Sequence, residues 1–260
     1  MPRFRLQIEY NGTRYSGWQI QRNARTVQGD LLEAVQKVTG RRDRIELYGA
    51  GRTDAGVHAL GQVAHLDVAT TLPPATLLNR LNEALPADIN LLDVRVAHHR
   101  FHARHDAIAR RYVYQVSRRR TAFAKPFVWW VRDRLDAGAM QRAAASFLGR
   151  LDFEAFSDDD ADEKSTVVQV DGVDVVDEGS LILIRVTGSH FLWRMVRRMV
   201  GVLVRVGASD LKAADVPRLM RSNGEDVARL TAPASGLFLE QVIYPGESFR
   251  DDRRGPISVP

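Results

Sequence analysis

One stretch of this sequence sets an arginine and a carboxylate two residues apart among glycines: Tyr48-Gly49-Ala50-Gly51-Arg52-Thr53-Asp54-Ala55-Gly56-Val57-His58-Ala59. Side chains alternate along an extended segment, so Arg52 and Asp54 are expected on the same side. A guanidinium beside a carboxylate favours its ionised form, the state that a nucleophilic or basic aspartate needs. The glycines let such a loop bend sharply or approach a ligand closely. The residues also allow a plainer reading, a Gly/Asp turn in which Asp54 bonds its own backbone. Two phosphate-binding patterns do not fit. A dinucleotide fingerprint needs a third glycine where Asp54 stands, and a P-loop needs a Gly-Lys-Ser/Thr that the stretch lacks.

A reactive loop is best supported between rigid elements. Ile45 to Tyr48 reads as a strand entering it and Gln62 to Val68 as a strand leaving it. Upstream, Phe4, Leu6, Ile8 and Tyr10 alternate with polar residues, the pattern of a half-buried strand over 3–10. Asn11-Gly12 gives a turn, and Tyr15 and Trp18 in the next loop read as core anchors. Val27, Leu31, Val35 and Val38 predict a helix over about 27–39, closed by Gly40. Leu77, Leu78, Leu81 and Leu85 predict a second helix that stops at Pro86, and a strand follows over about 89–96.

Further along, His98, His99, His102 and His105 cluster. Zinc would require fixed geometry and additional ligands, and the chain has no cysteine, so no metal site is assigned. In Arg110-Arg111-Tyr112-Val113-Tyr114-Gln115-Val116 the two tyrosines share one face of a strand. Basic residues beside aromatics have the composition of a base-stacking platform, although tyrosine is also simply a good strand residue. Arg118-Arg119-Arg120 at its end is a possible phosphate contact. A helix is predicted over about 136–148, and a hairpin around Glu178-Gly179 joins strands over about 167–176 and 181–186. The acidic run Asp158-Asp159-Asp160 with Asp162 and Glu163 would repel RNA, so it is expected to point away from an RNA site. Leu192, Met195, Val196, Met199 and Leu203 form a helical stripe that reads as core, with Trp193, Arg197 and Gly201 on a neighbouring face. A short helix over about 215–221 and a last strand after Leu237 complete the elements.

The totals fit this picture. The 260 residues are 45% hydrophobic, enough for a globular core. The absence of cysteine excludes disulfides and thiolate metal sites and accords with a reducing cytoplasm. No apolar run suggests a secretion signal or a membrane span. The net charge is +5, and arginine, which suits phosphate and base contacts, greatly outnumbers lysine. Strands and helices are mixed without regular βαβ alternation, which predicts an α+β fold with substantially antiparallel sheet.

Gly51-Arg52-Thr53-Asp54-Ala55-Gly56-Val57-His58-Ala59 resembles the signature of the tRNA pseudouridine synthase A family. The run from Tyr10 to Gln21, the segment Leu81 to Ile89, Phe101-His102-Ala103-Arg104, the Tyr112 strand, the Met-Val-Arg element at Arg197 and Ala232 to Leu239 are similar to the family in the same order. The likeness runs from about Arg5 to Tyr244. The chain departs from the family pattern at Ala155-Phe156-Ser157, where a Ser-Phe-Arg type sequence is common. It also departs at Arg194 and Arg198, where histidine and asparagine are usual, positions that bear on tRNA contact and substrate choice.

The resemblance implies two similar α/β halves forming one largely antiparallel sheet flanked by helices, with a basic cleft between them. The halves would span 1–106 and 107–248, with 249–260 as a flexible, loosely held tail. It implies a homodimer that isomerises uridine to pseudouridine in the anticodon stem-loop of tRNA, without cofactor or metal. In this sequence the catalytic aspartate would be Asp54, the cation that keeps it ionised Arg197, and the aromatic that stacks on the detached uracil Tyr112. Arg52, His102, Arg104 and Arg111 would bind the substrate, with Arg52 helping to displace the target base. A non-catalytic RNA-binding protein is the alternative, and a carboxylate at position 54 among RNA phosphates argues against it.

Overall fold

The structure, a computed structural model, describes residues 1–159, 165–250 and 254–259. Asp160, Asp162 and Glu163 of the acidic run lie outside the described residues. The chain divides into two compact units, Met1–Ile108 with Leu239–Phe249, and Ala109–Phe238 with Arg250–Pro260.

In the first unit, β1 (Arg3–Tyr10) alternates buried and half-buried residues without a break, as its sequence predicts. The helix α1 (Val27–Thr39) begins where the Thr26 side chain accepts from Gly29 N and ends at Gly40 in the left-handed region. β2 (Glu46–Gly49) and β3 (His58–Asp67) are antiparallel partners on either side of the glycine-rich loop. β3 starts four residues before the predicted strand, because Ala59 pairs with Tyr10 past an irregularity in β1. α2 (Pro74–Ala84) stops ahead of Pro86, and Asn82 clasps Leu91 in β4 (Ile89–Ala97) through both Leu91 N and O. β1 lies between β4 and β3, antiparallel to both.

In the second unit β5 (Ala109–Ser117) carries the short parallel strand β6 (Trp129–Trp130). α3 (Ala137–Ala144) is shorter than predicted. The chain tightens into a 3-10 turn over Ala145–Phe147 that buries Phe147, then leaves through Gly149 into β7 (Gly149–Asp152). β8 (Val167–Glu178) and β9 (Leu181–Gly188) form the expected hairpin, and the antiparallel order is β5-β9-β8-β7. α4 (Met195–Gly207) is followed by the short helices α5 (Val216–Leu219) and α6 (Glu225–Arg229). The last strand, β10 (Leu237–Ile243), takes Leu239–Ile243 back into the first unit beside β3. The mixture of helices with largely antiparallel strands is an α+β fold.

Charge and proline content predict a loosely held tail, yet its described residues are tied to the second unit. Arg185 Nη2 donates to Arg254 O (2.7 Å), Gln115 Oε1 accepts from Ile257 N (3.2 Å), and Val259 is buried. No helix among the described residues is long and apolar enough to cross a membrane.

Candidate active site

The loop that carries Asp54 is fixed by its main chain. Its entry is tied to β3, where Ala50 N donates to Val63 O (2.7 Å) and Gln62 Nε2 donates to Gly51 O (2.9 Å). Thr53 is then held twice, through a 2.8 Å hydrogen bond between its hydroxyl and that of Tyr10, and through Trp18 N donating to Thr53 O at 3.0 Å. Burial pushes the Tyr10 phenol well above its ordinary pKa, so it stays a neutral hydrogen-bonding group. The exit is a turn in which Val57 N donates to Asp54 O (3.1 Å) and Gly56 N donates to Tyr15 O (3.2 Å). Thr53 is buried, Arg52 exposed and Asp54 half-buried, so the burial order follows the alternation expected of an extended segment.

The Tyr15-to-Trp18 loop is the backing of this site. Tyr15 and Trp18 are buried, as core anchors should be. Gly17 lies between them at φ +96°, where a Cβ would stand 2.5 Å from Thr53 O and 3.2 Å from the Asp54 carbonyl carbon. Only glycine allows the two loops to close this far.

The histidines make a ring stack rather than a ligand set. Tyr48 on β2 stacks on His65 of β3 with ring centroids 5.3 Å apart, and His102 lies 4.6 Å from His65 and 4.2 Å from His105. Nδ1 of His65 accepts from Ala103 N (3.1 Å), while Nδ1 of His102 accepts from the backbone of Arg104 (3.2 Å) and His105 (3.3 Å). Those lone pairs are therefore committed to the backbone. Burial, aided by the Arg3 cation, lowers His65 to about 4, and burial followed by the His105 charge lowers His102. His102 is half-buried and Arg104 exposed.

In the second unit Tyr112 sits on β5 opposite Val186, with its ring edge-on to Phe191 at 5.2 Å. Arg111 next to it donates from Nε to Thr187 Oγ1 (3.2 Å) and from Nη1 to Arg250 O (3.3 Å). Tyr114 on the same face is fully buried, and its hydroxyl donates to Pro233 O (2.8 Å). Tyr114 is a core residue, so the tyrosine pair as a whole is no open stacking surface. Arg118, read from sequence as a possible phosphate contact, is instead paired bidentately with Asp177 across the β8–β9 hairpin at 2.6 and 2.8 Å. That pairing holds the Asp177 carboxyl below its ordinary pKa.

Arg197 stands in the first turn of α4 and is clasped by Ala232. Its Nε donates to Ala232 O (2.7 Å), and Ala232 N donates back to Arg197 O (3.1 Å). One turn on, Gly201 lets Leu230 O come to 1.6 Å from where a Cβ would be, so the helix lies directly on the 230–232 segment. Arg197 and Tyr114 thus hang from consecutive carbonyls, Ala232 and Pro233. The apolar stripe of Leu192, Met195, Val196, Met199 and Leu203 is buried, as its spacing predicts.

The acidic run has countercharges within its own unit. Asp158 and Asp159, its described part, are docked on the start of α4, because Arg194 and Arg198 supply the opposite charge there. Asp158 pairs with Arg194 (2.9 Å) and with the buried Arg198, and Asp159 accepts from Trp193 N (2.8 Å). Of the residues singled out from sequence, Arg52, Asp54, His102 and Arg104 belong to the first unit, and Arg111, Tyr112 and Arg197 to the second. Sequence reasoning missed the groups that hold them, namely the Tyr10–Thr53 pair, the Ala232 clasp and Asp158. The one local signal was the i, i+4 pair of Arg194 and Arg198, which asks for an acid.

A family model described as tRNA pseudouridine synthase matches residues 7–106 and 143–245. The "tRNA pseudouridine synthase A" of Rhodopseudomonas palustris (strain BisA53) is 42% identical over 247 residues, covering 94% of this chain and 100% of the relative. The protein of the same description from Acetivibrio thermocellus is 39% identical over 246 residues, again covering 94% of this chain and 100% of the relative. Among solved structures, the archaeal box H/ACA sRNP Nop10-Cbf5 complex is similar at 11% identity, over 90% of this chain and 61% of that one, with a TM-score of 0.36. That likeness is too slight to carry a structural conclusion.

Proposed function

We propose an activity from a plain premise, that the chain belongs to the tRNA pseudouridine synthase family: it isomerises uridine to pseudouridine in tRNA, with Asp54 as the catalytic carboxylate. What carries this reading is the family match across the Asp54 loop, together with three hydrogen bonds that hold Thr53 and Asp54, one from the Tyr10 hydroxyl and two from the main chain of Trp18 and Val57. The reaction breaks the bond from ribose C1′ to N1 of uracil, turns the base and joins C1′ to C5. The proton on C5 leaves to solvent and N1 takes one up. No redox partner or energy source is consumed, so the chain needs no nucleotide-binding motif.

In this reading Asp54 is the nucleophile, Tyr112 offers an aromatic face to the detached uracil, and Arg197 supplies the cation that favours an ionised carboxylate. Arg52 assists displacement of the target base, while His102, Arg104 and Arg111 bind the RNA. Removing a base from its stack opposes binding by a few kcal/mol, an amount that phosphate contacts from arginines can offset. The same reading takes the anticodon stem-loop as the tRNA segment, a second copy of the chain as its partner and the cytoplasm as its location.

The test is tritium release from tRNA transcripts carrying uridine labelled at C5, with wild type and Asp54→Asn side by side, and tRNA affinity measured for both. Release by wild type only, with affinities within a few-fold, is the expected result. Release by both removes Asp54 from the reaction. Binding without release by either favours a non-catalytic RNA-binding protein.

A further inference from the structure

The start of α4 has no side-chain cap of its own. Arg194 stands at the N-cap position in the left-handed region (φ +63°), and its side chain accepts nothing from the helix. The end is built instead by residues nearly 40 positions earlier. Asp158 N donates to Trp193 O (3.3 Å), and Trp193 N donates to Asp159 Oδ2 (2.8 Å). The Asp158 carboxylate then bridges Arg194 and Arg198, one turn apart, and Arg198 Nη1 donates to Ser157 O (2.6 Å). Arg198 is 3% exposed, and its Nε has no hydrogen-bond partner among the described residues. A buried guanidinium in that state depends on its carboxylate, since an uncompensated buried charge is strongly unfavourable.

Arg197 lies between the two bridged arginines, in the turn that the bridge closes. Its far side is fixed by Ala232. The backbone from which Arg197 springs is therefore held on one side by the 230–232 segment and at the helix end by Ser157-Asp158-Asp159. We propose that Asp158 is a positioning residue for uridine isomerisation, acting through Arg197 by fixing the first turn of α4. The inference rests on the functional reading above, in which Arg197 serves the reaction. It gives the acidic run a role that charge alone argues against: two carboxylates are kept in an RNA-binding protein because they are spent on Arg194, Arg198 and a helix end.

The experiment is a double-mutant cycle in single-turnover tritium release, at a temperature well below each variant's melt and normalised to folded protein. Asp158→Asn keeps the shape and removes the charge. It should slow the step by about 10- to 100-fold, the cost of a misplaced group of roughly ångström size, while tRNA affinity stays within about threefold. In the Arg197→Ala background the same change should cost less than about twofold, because the two act on one event. Asp158→Glu should recover most of the rate. A purely structural role predicts equal fold-losses in both backgrounds, and that result overturns the inference, as does an Asp158→Asn rate within twofold of wild type. If Asp158→Asn does not fold, Arg194→Ala takes its place, since it opens the exposed arm of the bridge and leaves Arg198 paired. It should slow the step several-fold in the wild-type background only, and an unchanged rate would overturn the inference. Absence of release by wild type would overturn the functional reading itself, a result distinct from any of these.

Discussion

Gly17→Ala tests whether the Asp54 loop is held as tightly as its contacts imply. An alanine Cβ there would meet Thr53 O at 2.5 Å, where ordinary contact begins at 3.4 Å, so the two loops must part by about 0.9 Å. The residue must also keep φ +96°, and a left-handed backbone costs a side-chained residue about 1–2 kcal/mol. With the overpacking added, a loss of about 3 kcal/mol is expected, a fall in Tm of roughly 6–12 °C for a chain of this size. Neither figure by itself tests the site. The atoms pushed are Thr53 O and the Asp54 carbonyl, so the displacement enters the residue proposed to react. Single-turnover tritium release should fall about 10- to 100-fold, with tRNA affinity little changed. Gly40→Ala is the control. It has φ +66° with nothing within 4 Å of the added Cβ, so it should lose about 1–2 kcal/mol and keep its rate. A Gly17→Ala enzyme that melts early yet reacts within twofold of wild type would refute the reasoning, because the backing loop would then hold stability and not geometry.

Two further outcomes follow from the electrostatics. His65 has a folded pKa of about 4 against an ordinary 6.5, so the unfolded chain takes up the proton more readily. Stability from this group is intact above about pH 6.5 and is lost as pH falls toward 4, by about 3 kcal/mol in all. In denaturant titrations from pH 7.5 to 4, His65→Phe should be weaker at neutral pH yet show a shallower decline, and an identical decline would remove His65 as the cause. Binding of tRNA should weaken steeply with salt, about a thousandfold between roughly 50 and 200 mM if about six phosphates are neutralised. Arg104→Ala should lower the log–log slope by about one, and a flat salt response in the wild type would end the argument for a backbone grip.

The sequence was most legible where order is local. The alternation of β1, the Gly40 end of α1 and the stop of α2 before Pro86 each rest on a few adjacent residues, and the structure has them where the pattern predicts. Asp54 stood out for the same reason, as a carboxylate two residues from an arginine in a glycine-rich loop. What could not be read is non-local. Nothing near Tyr10 announces that its hydroxyl will meet Thr53, 43 residues away. A charge pattern does not say which arginines come to meet the acidic run, and Arg198 lies 40 residues from Asp158. The predicted helix runs past the end of α3 because the 3-10 turn that follows keeps a spacing close to the helical one.

The two residues proposed to do most of the chemistry are held in the same way. Asp54 is fixed through Thr53 O, Asp54 O and Gly56 N, and Arg197 through its own O and Ala232. In both cases a glycine, Gly17 or Gly201, lets a remote backbone come within contact. Anchoring of this kind removes the freedom of the segments that bear the carboxylate and the guanidinium, which is the condition for positioning a reacting group. A surface meant only to bind RNA gains little from such rigidity, since phosphate contacts tolerate mobile arginines and derive their strength from charge. Rigid support beneath a carboxylate, in a chain with an excess of positive charge, is therefore better explained by catalysis than by binding.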